Sequence, residues 1–349
     1  MTAARATPVL AQRLTAQGLT RGAATPAKVV ERLAALQAQD IVQARWALGS
    51  RVTRATQGQV DDAFAAGTVV RAWCLRGTLH AVAPEEVPWL LALLGERNLS
   101  RVRARHRELD ITSADVDTAA RVVEARLRGR SASRDELFTC LEAEGQATKT
   151  QRGVHLLFAL AQRGLLLQLG EDFALVSDRV PTSKPRAPDE ALATLARRYL
   201  EGHGPASAED FAFWAGLPKS MARTALDLAG PVRWPEDDVP KALLLAGFDE
   251  YLLGYADRSV CLEPAFFERL VPGGNGVFRP MVVLDGRIEG TWRREVRRDT
   301  VTVQVSPFFP VTAAQRRALE DATGRFGEFL GLEGRLEFEA AQPTKATRR

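Results

Sequence analysis

Cysteine is scarce in this chain of 349 residues: Cys74, Cys140 and Cys261 stand far apart and form no Cys-x-x-Cys pair. Neither a disulfide framework nor a thiolate zinc site is indicated by that spacing. Histidine is almost as sparse. His80, His106, His155 and His203 are scattered, with no His-Glu-x-x-His pattern, so neither a metal nor another cofactor is expected. Long apolar runs are missing too. Stretches such as Trp89–Leu94 and Val154–Ala161 are too short to cross a bilayer, and the N-terminus lacks a signal-peptide core. The reducing cytoplasm fits all of these absences, and no membrane partner is expected. Lysine is rare as well, since nearly all of the 47 cations are Arg, set against 43 acids for a net charge of +4. Arginine's planar fork suits phosphate, although a GC-rich genome also favours Arg, Ala and Leu. The excess is too mild to establish a polyanionic partner by itself.

What is present is an ordinary globular balance, 46% hydrophobic and 26% charged, over a length that suits two or three domains. A short helix is marked by Val9, Leu10 and Leu14. Thr25-Pro26 reads as an N-cap with proline in the first turn, and Val29, Leu33 and Leu36 continue an apolar stripe. That stripe puts Gln37 at a helix C-terminus. Asp40 and Gln43 resemble a capping box opening a helix over Ile41–Leu48, and another runs from Gln57 to Ala66. Val69–Leu75 and Thr78–Ala83 flank Arg76-Gly77 as a hairpin. Helices followed by a hairpin is the order of a winged helix. The order recurs: helices over Ser113–Leu127, Ser133–Ala143 and Gln151–Arg163, then a hairpin of Leu165–Leu169 and Phe173–Val176. A third block has helices over Glu190–Glu201, Phe211–Ala215 and Pro218–Leu228. The segment 182–188 is a linker candidate. Short strands over Met281–Leu284, Arg287–Trp292 and Thr300–Val305 predict a small antiparallel sheet or barrel. A helix over Ala313–Phe329 follows, and 343–349 reads as a frayed basic tail. The fold class expected is mainly α with a small β part. Its divisions are 1–110, 111–181 and 188–240 as tandem winged helices, with 241–340 as a β-rich domain.

Several clusters invite chemistry. Arg97–Arg107 carries five arginines and no acid. Arg101, Arg103 and Arg105 either ride along DNA phosphates or pair with Glu96 and Glu108 on a solvated face. Arg293 and Arg294 head a second basic cluster. Lys149 and Arg152 open the helix that would be the recognition helix of the second block. Pro272–Gly276 is glycine-rich without the strand-to-helix setting of a phosphate cradle; it reads as a loop tip that places Arg279 against a groove. Arg76 sits on the first hairpin tip, and His80 is either structural or a phosphate contact. Asp249 and Glu250 read as partners of nearby basic strands. Asp40 reads as a carboxylate already occupied as a cap.

The stretch Leu36-Gln37-Ala38-Gln39-Asp40 carries the sharpest signal. Gln37-Ala38-Gln39 resembles the Gln-aliphatic-Gln motif of the AlkZ branch of the AlkZ/YcaQ family of DNA glycosylases. Leu75–Glu86, Phe248–Ser259 and Pro272–Pro280 also look like characteristic stretches of that family, so the resemblance runs over almost the whole chain. It implies tandem winged helices in a C-shaped molecule, with Gln37 and Gln39 catalytic. A related branch has Asp at the second position; Gln39 points to the crosslink-unhooking side, which releases bulky N7-alkylguanines. The implied partner is double-stranded DNA with alkylated purines, met by a monomer. The chemistry can be argued separately. Alkylation at N7 gives guanine a positive charge, so the base departs neutral. Strong acid catalysis is then unnecessary, and the enzyme's task is to place a water and oppose positive charge on the sugar. Two amide carbonyls suit that task. No extrusion pocket is evident in the sequence, and a crosslinked base cannot swing out freely, so access without full base flipping is expected. The alternative reading is a non-enzymatic winged-helix regulator. It would call for an effector domain or a dimer helix, and no heptads supply one.

Overall fold

A computed structural model describes residues 8–181 and 185–339. The first part of the chain is laid out as α1 (Pro8–Ala16), α2 (Pro26–Leu33), β1 (Leu36–Gln37), α3 (Ile41–Gly49), α4 (Gln57–Ala65), β2 (Val70–Trp73), β3 (Leu79–Val82) and α5 (Val87–Glu108). The middle contains α6 (Ser113–Leu127), α7 (Arg134–Ala143), α8 (Arg152–Gln162), β4 (Leu166–Leu169), β5 (Asp172–Leu175), α9 (Val176–Arg179), α10 (Pro188–His203), α11 (Ala208–Ala215) and α12 (Lys219–Ala229). Then come β6 (Ala242–Leu245), α13 (Glu250–Leu253), α14 (Phe267–Leu270), β7 (Met281–Leu284), β8 (Arg287–Val296), β9 (Thr300–Pro307), α15 (Ala313–Leu330) and β10 (Glu333–Phe338). No helix among the described residues is long and apolar enough to cross a membrane. The tail 343–349 and the first three residues of the expected linker, 182–184, lie outside the described residues.

The caps explain why the helices start where they do. Thr56, Thr112, Ser133, Ser207 and Thr312 each form a reciprocal capping box with the residue three places on, satisfying backbone donors that a helix start leaves bare. One expected helix end is corrected. Leu36 does not extend α2, because Ala34 adopts φ 61° and ends it; the chain then runs extended as β1. The apolar stripe was real, since Val29, Leu33 and Leu36 are all buried, but its last member faces the core from a strand.

The two hairpins expected as separate wings lie side by side in one five-stranded sheet, ordered β1-β3-β2-β4-β5. The seam is the antiparallel pairing of β2 with β4 at Arg71 and Gln168. The third block supplies helices α10–α12 and, among the described residues, no hairpin of its own. The second sheet, β10-β9-β8-β7-β6, departs from the all-antiparallel expectation: β10 runs parallel to β9, so the sheet is mixed. Helix α15 connects those two strands and packs on this sheet.

The cores bind distant parts of the chain together. One apolar cluster joins Val29, Leu36, Trp46 and Phe64 to Leu244, Trp292 and Phe326. Trp46 packs edge-on against Phe326, with ring centroids 4.8 Å apart, and donates its indole N–H to the Leu244 carbonyl at 2.8 Å. A second cluster joins Val70, Leu90 and Leu167 to Tyr199, Phe211 and Trp214. The segment carrying Gln37 and Gln39 therefore rests on residues from both ends of the sequence.

Candidate active site

The Gln-Ala-Gln segment lies along the edge of the first sheet. Gln37 pairs with His80 across β1 and β3, and the Ala38 N–H donates to the Leu79 carbonyl at 2.8 Å. Leu36 and Ala38 are buried, Gln37 is half-buried and Gln39 is exposed. That alternation is what an extended strand produces, and it turns both amides to the same side. The segment stops at Asp40, whose Oδ1 accepts from the N–H groups of Val42 (2.9 Å) and Gln43 (3.2 Å) to cap α3. The carboxylate is occupied as expected. The box is only half a box, however, because Gln43 Oε1 accepts from the Gly247 N–H at 2.8 Å instead of returning to Asp40.

Among the described residues, the side-chain oxygen of each glutamine accepts from one donor. Gln37 Oε1 accepts from Arg76 Nη2 at 3.0 Å, and Gln39 Oε1 accepts from the Leu79 N–H at 3.1 Å. A guanidinium and a backbone amide can only donate, so the carbonyl end of each side chain is fixed. A carbonyl oxygen has two lone pairs, and one on each remains for a water. Arg76 sits at the hairpin tip with φ 55°. It also donates to the Trp214 carbonyl, which ties the tip to α11. Beneath Gln39, buried Arg71 holds the Ala38 carbonyl through Nε (3.0 Å) and Nη2 (2.9 Å), and the Gly170 carbonyl through Nη1 (2.7 Å). Burial lowers its pKa to about 10, so it is protonated at neutral pH.

Behind Gln37 lies a carboxylate. Glu250 is fully buried. Its oxygens accept from the Gln37 N–H at 2.8 Å and from the Trp214 indole N–H at 3.0 Å, and Oε2 lies 3.2 Å from His203 Nε2. Burial would raise its pKa, but the hydrogen bond and charge of His203, with His80 and Arg76 beyond, bring it down to about 2. Glu250 therefore covers the bare outer N–H of an edge strand. Its neighbour Asp249 forms a two-pronged, fully buried ion pair with Arg51, at 2.7 and 2.8 Å. The basic-strand partners expected for this acidic pair are thus corrected: both acids serve the N-terminal part of the chain. A signal was available in the two acids at the head of the apolar run Tyr251-Leu252-Leu253, because buried carboxylates need partners.

His80 is corrected as a phosphate contact. It is fully buried, its Nδ1 lies 2.9 Å from the Thr78 carbonyl, and burial together with the charge of Arg76 lowers its pKa to about 4. The pH dependence follows. As pH falls from 6.5, the unfolded chain takes up this proton before the folded one does. Stability is therefore complete above pH 6.5 and declines toward pH 4, by on the order of 3 kcal/mol across the interval. His80→Asn, which has no such titration, should flatten that part of the profile when urea midpoints are compared between pH 4.5 and 7.5. An unchanged slope would assign the pH dependence to other groups.

The remaining sequence-derived candidates are dispersed. Arg101 donates to the Gly216 carbonyl at 2.7 Å. Arg103 pairs with Glu96 and Arg105 with Glu108, at 2.7 and 2.9 Å, the pairing expected of a solvated face. Arg152 is engaged in the fold: it meets Asp115 at 3.1 Å and the carbonyls of Leu109 and Ala147. Lys149 and Arg279 are exposed. Arg293 is exposed and pairs with Glu339 at 2.9 Å. Arg294 reaches across the Phe326 ring, 6.0 Å from its centroid, and lines a cleft together with Val42 and Gln43 of α3. A cavity of about 390 Å³ opens beside Gln39 between the two hairpins and the start of α7.

The chain is similar to known proteins over most of its length. The model of the family described as DNA glycosylase AlkZ-like matches residues 30–329. The chain is 28% identical over 330 residues to the interstrand DNA cross-link repair glycosylase of Streptomyces sahachiroi, covering 83% of this chain and 88% of that protein. The solved structure of the Streptomyces sahachiroi DNA glycosylase AlkZ superposes with a TM-score of 0.77 at 25% identity, over 95% of this chain and 98% of the other. The chain belongs to the AlkZ-like family of DNA glycosylases.

Proposed function

We propose that the protein hydrolyses the N-glycosidic bond of cationic N7-alkylguanine in duplex DNA, interstrand crosslinks included, with Gln37 and Gln39 as its catalytic residues. The observation that carries this reading is the pair of fixed carbonyls, each with one lone pair engaged and one remaining. They can receive a water and orient it toward C1′ of the lesion nucleotide. As the C1′–N9 bond breaks, its electron pair stays on the base, which leaves neutral. Positive charge develops on the sugar, where the two carbonyl dipoles oppose it. Water adds at C1′, its proton passes to solvent, and an abasic site remains. An amide is too weak a base to activate water for an uncharged purine, so unmodified DNA is left intact. The name of the Streptomyces sahachiroi relative supports extension to crosslinks.

The decisive experiment is single-turnover incubation with a duplex carrying one N7-methylguanine, followed by hot alkali to cut abasic sites. Cleavage at the lesion alone is the expected result. No cleavage, or equal cleavage at unmodified guanine, overturns the reading. A crosslinked duplex should likewise resolve into single strands on a denaturing gel.

DNA contact is assigned to phosphate binding by Arg101, Arg103, Arg105, Lys149, Arg279, Arg293 and Arg294, whereas Arg76, expected among them, is engaged with Gln37 and the Trp214 carbonyl. If about six phosphates are neutralised, log K should fall with log salt at a slope near −5. Replacing Arg101, Arg103 and Arg105 together by Glu should make that slope shallower and weaken binding. The melting temperature should hold, because exposed ion pairs such as Arg103–Glu96 contribute little to stability. Fluorescence anisotropy at several salt concentrations checks both; an identical isotherm would leave this face merely solvated.

A further inference from the structure

The cavity beside Gln39 has a chemical character of its own. It is large enough, at about 390 Å³, for a purine and part of a substituent. Trp73 and Phe173 line it, and their rings stack with centroids 6.0 Å apart and planes 28° apart. Gln168 lines it from β4. That side chain is only 6% exposed, and its Oε1 is buried with no hydrogen-bond partner among the described residues. A buried acceptor left without a donor is costly, so the oxygen is suited to receive an N–H from a ligand. The charges complete the picture. Asp135, Glu171 and Asp172 outnumber Arg71 and Arg134 on the lining, and the N–H groups of Arg71 are occupied by the Ala38 and Gly170 carbonyls, so it has little left to offer an anion. The balance favours a ligand that is flat, carries N–H donors and bears positive charge.

We infer that this cavity receives the alkylated guanine itself, an inference that rests on the glycosylase reading of Gln37 and Gln39. Guanine presents N1–H and an exocyclic amino group to the Gln168 oxygen and a flat face to the aromatic wall. Alkylation at N7 supplies the charge that the carboxylates prefer. Gln39 lies on the lining, so a base held here keeps its glycosidic bond beside the carbonyl that positions water. The rim carries Val154, Arg134 and Asp172, all exposed, so a substituent on N7 can extend outward. This differs from the expectation of access without a base pocket, which the sequence could not test because β2, β4 and α7 meet only in the folded chain.

The test uses the full chain and free nucleosides. Isothermal titration should show 7-methylguanosine binding more tightly than guanosine. Gln168→Leu, similar in size and without the acceptor, should weaken 7-methylguanosine about tenfold, the size of one lost hydrogen bond. Glu171→Gln, on an exposed turn, should narrow the preference for the charged nucleoside. Excision of N7-methylguanine from duplex DNA is measured on the same preparations, with melting curves to verify folding, and Gln168→Leu should slow it by a similar factor. Wild-type protein that excises the lesion, together with a folded Gln168→Leu variant that excises it equally fast, overturns the cavity assignment and leaves the glycosylase reading standing. Gln168-dependent binding of 7-methylguanosine without excision by the wild type would support the cavity and remove the catalytic reading.

Discussion

Gln39→Ala is expected to slow release of N7-methylguanine by roughly 10² to 10³, the typical cost of removing one preorganised dipole from a charge-developing transition state. Gln37→Ala should do the same. DNA affinity should change little for either, because the carbonyls act on the sugar only as charge develops, and such interactions appear in rate rather than in ground-state binding. The two variants differ in their structural side effects. Gln39 is exposed, so the Leu79 N–H that it occupies can bond to water when the amide is gone. Gln37 is half-buried and takes a bond from Arg76, so its loss also frees the hairpin tip, which keeps its bond to the Trp214 carbonyl. Gln39→Glu is the finer probe. A carboxylate can accept the same Leu79 N–H and activates water better, so that variant should retain excision. Single-turnover rates and melting temperatures on the same samples decide the matter: a folded double-alanine variant with wild-type turnover would falsify the catalytic assignment.

Arg51→Ala carries the largest expected effect on stability. The Arg51–Asp249 pair is fully buried, and Arg51 also donates to the Gln17 carbonyl and side chain, at 3.1 and 2.9 Å. Removing one partner leaves an uncompensated charge in the interior, at a cost of about 3 to 5 kcal/mol. Asp249 further caps α13 by accepting from the Tyr251 N–H at 2.9 Å, and the next residue is Glu250. Loosening this pair should therefore weaken the support of β1 as well as the fold. Urea unfolding monitored by tryptophan fluorescence provides the measure. Replacing both partners by apolar residues of similar size should cost much less than either single change, because no bare charge remains. A single Arg51→Ala variant as stable as the parent would show that water reaches the pair.

Much of the helical architecture was legible because its signals are local. Thr25 before Pro26 and Ser133 with Glu136 announce helix starts within a few residues, and both helices begin where those signals place them. The first hairpin was legible from Arg76-Gly77 between two apolar runs, and both residues adopt positive φ. What escaped is what depends on distant partners. Leu36-Gln37 continues a helical stripe on paper, and only pairing with His80 and Ala81 makes it a strand. The seam between Arg71 and Gln168 joins residues almost a hundred positions apart, so the two hairpins could not be read as one sheet. At the site, the motif pointed to Gln37 and Gln39, but not to what holds them. Arg71, Trp214, His203 and Glu250 come from four separate stretches, and no spacing rule links them. The arginines were easier to find than to interpret. Arg152 and Arg101 look alike in sequence, yet the first is absorbed by the fold and the second reaches only a surface carbonyl.

The bond from the Gln37 N–H to Glu250 spans 213 positions, and it has a consequence for the newborn chain. On a ribosome Gln37 emerges long before Glu250 is added, and N-terminal segments begin to fold as they appear. The outer edge of β1 must then wait, uncovered, for a carboxylate not yet translated. Trp46 waits likewise for Phe326. In nascent protein the edge that carries Gln37 and Gln39 is therefore unfinished until the chain has grown past Glu250.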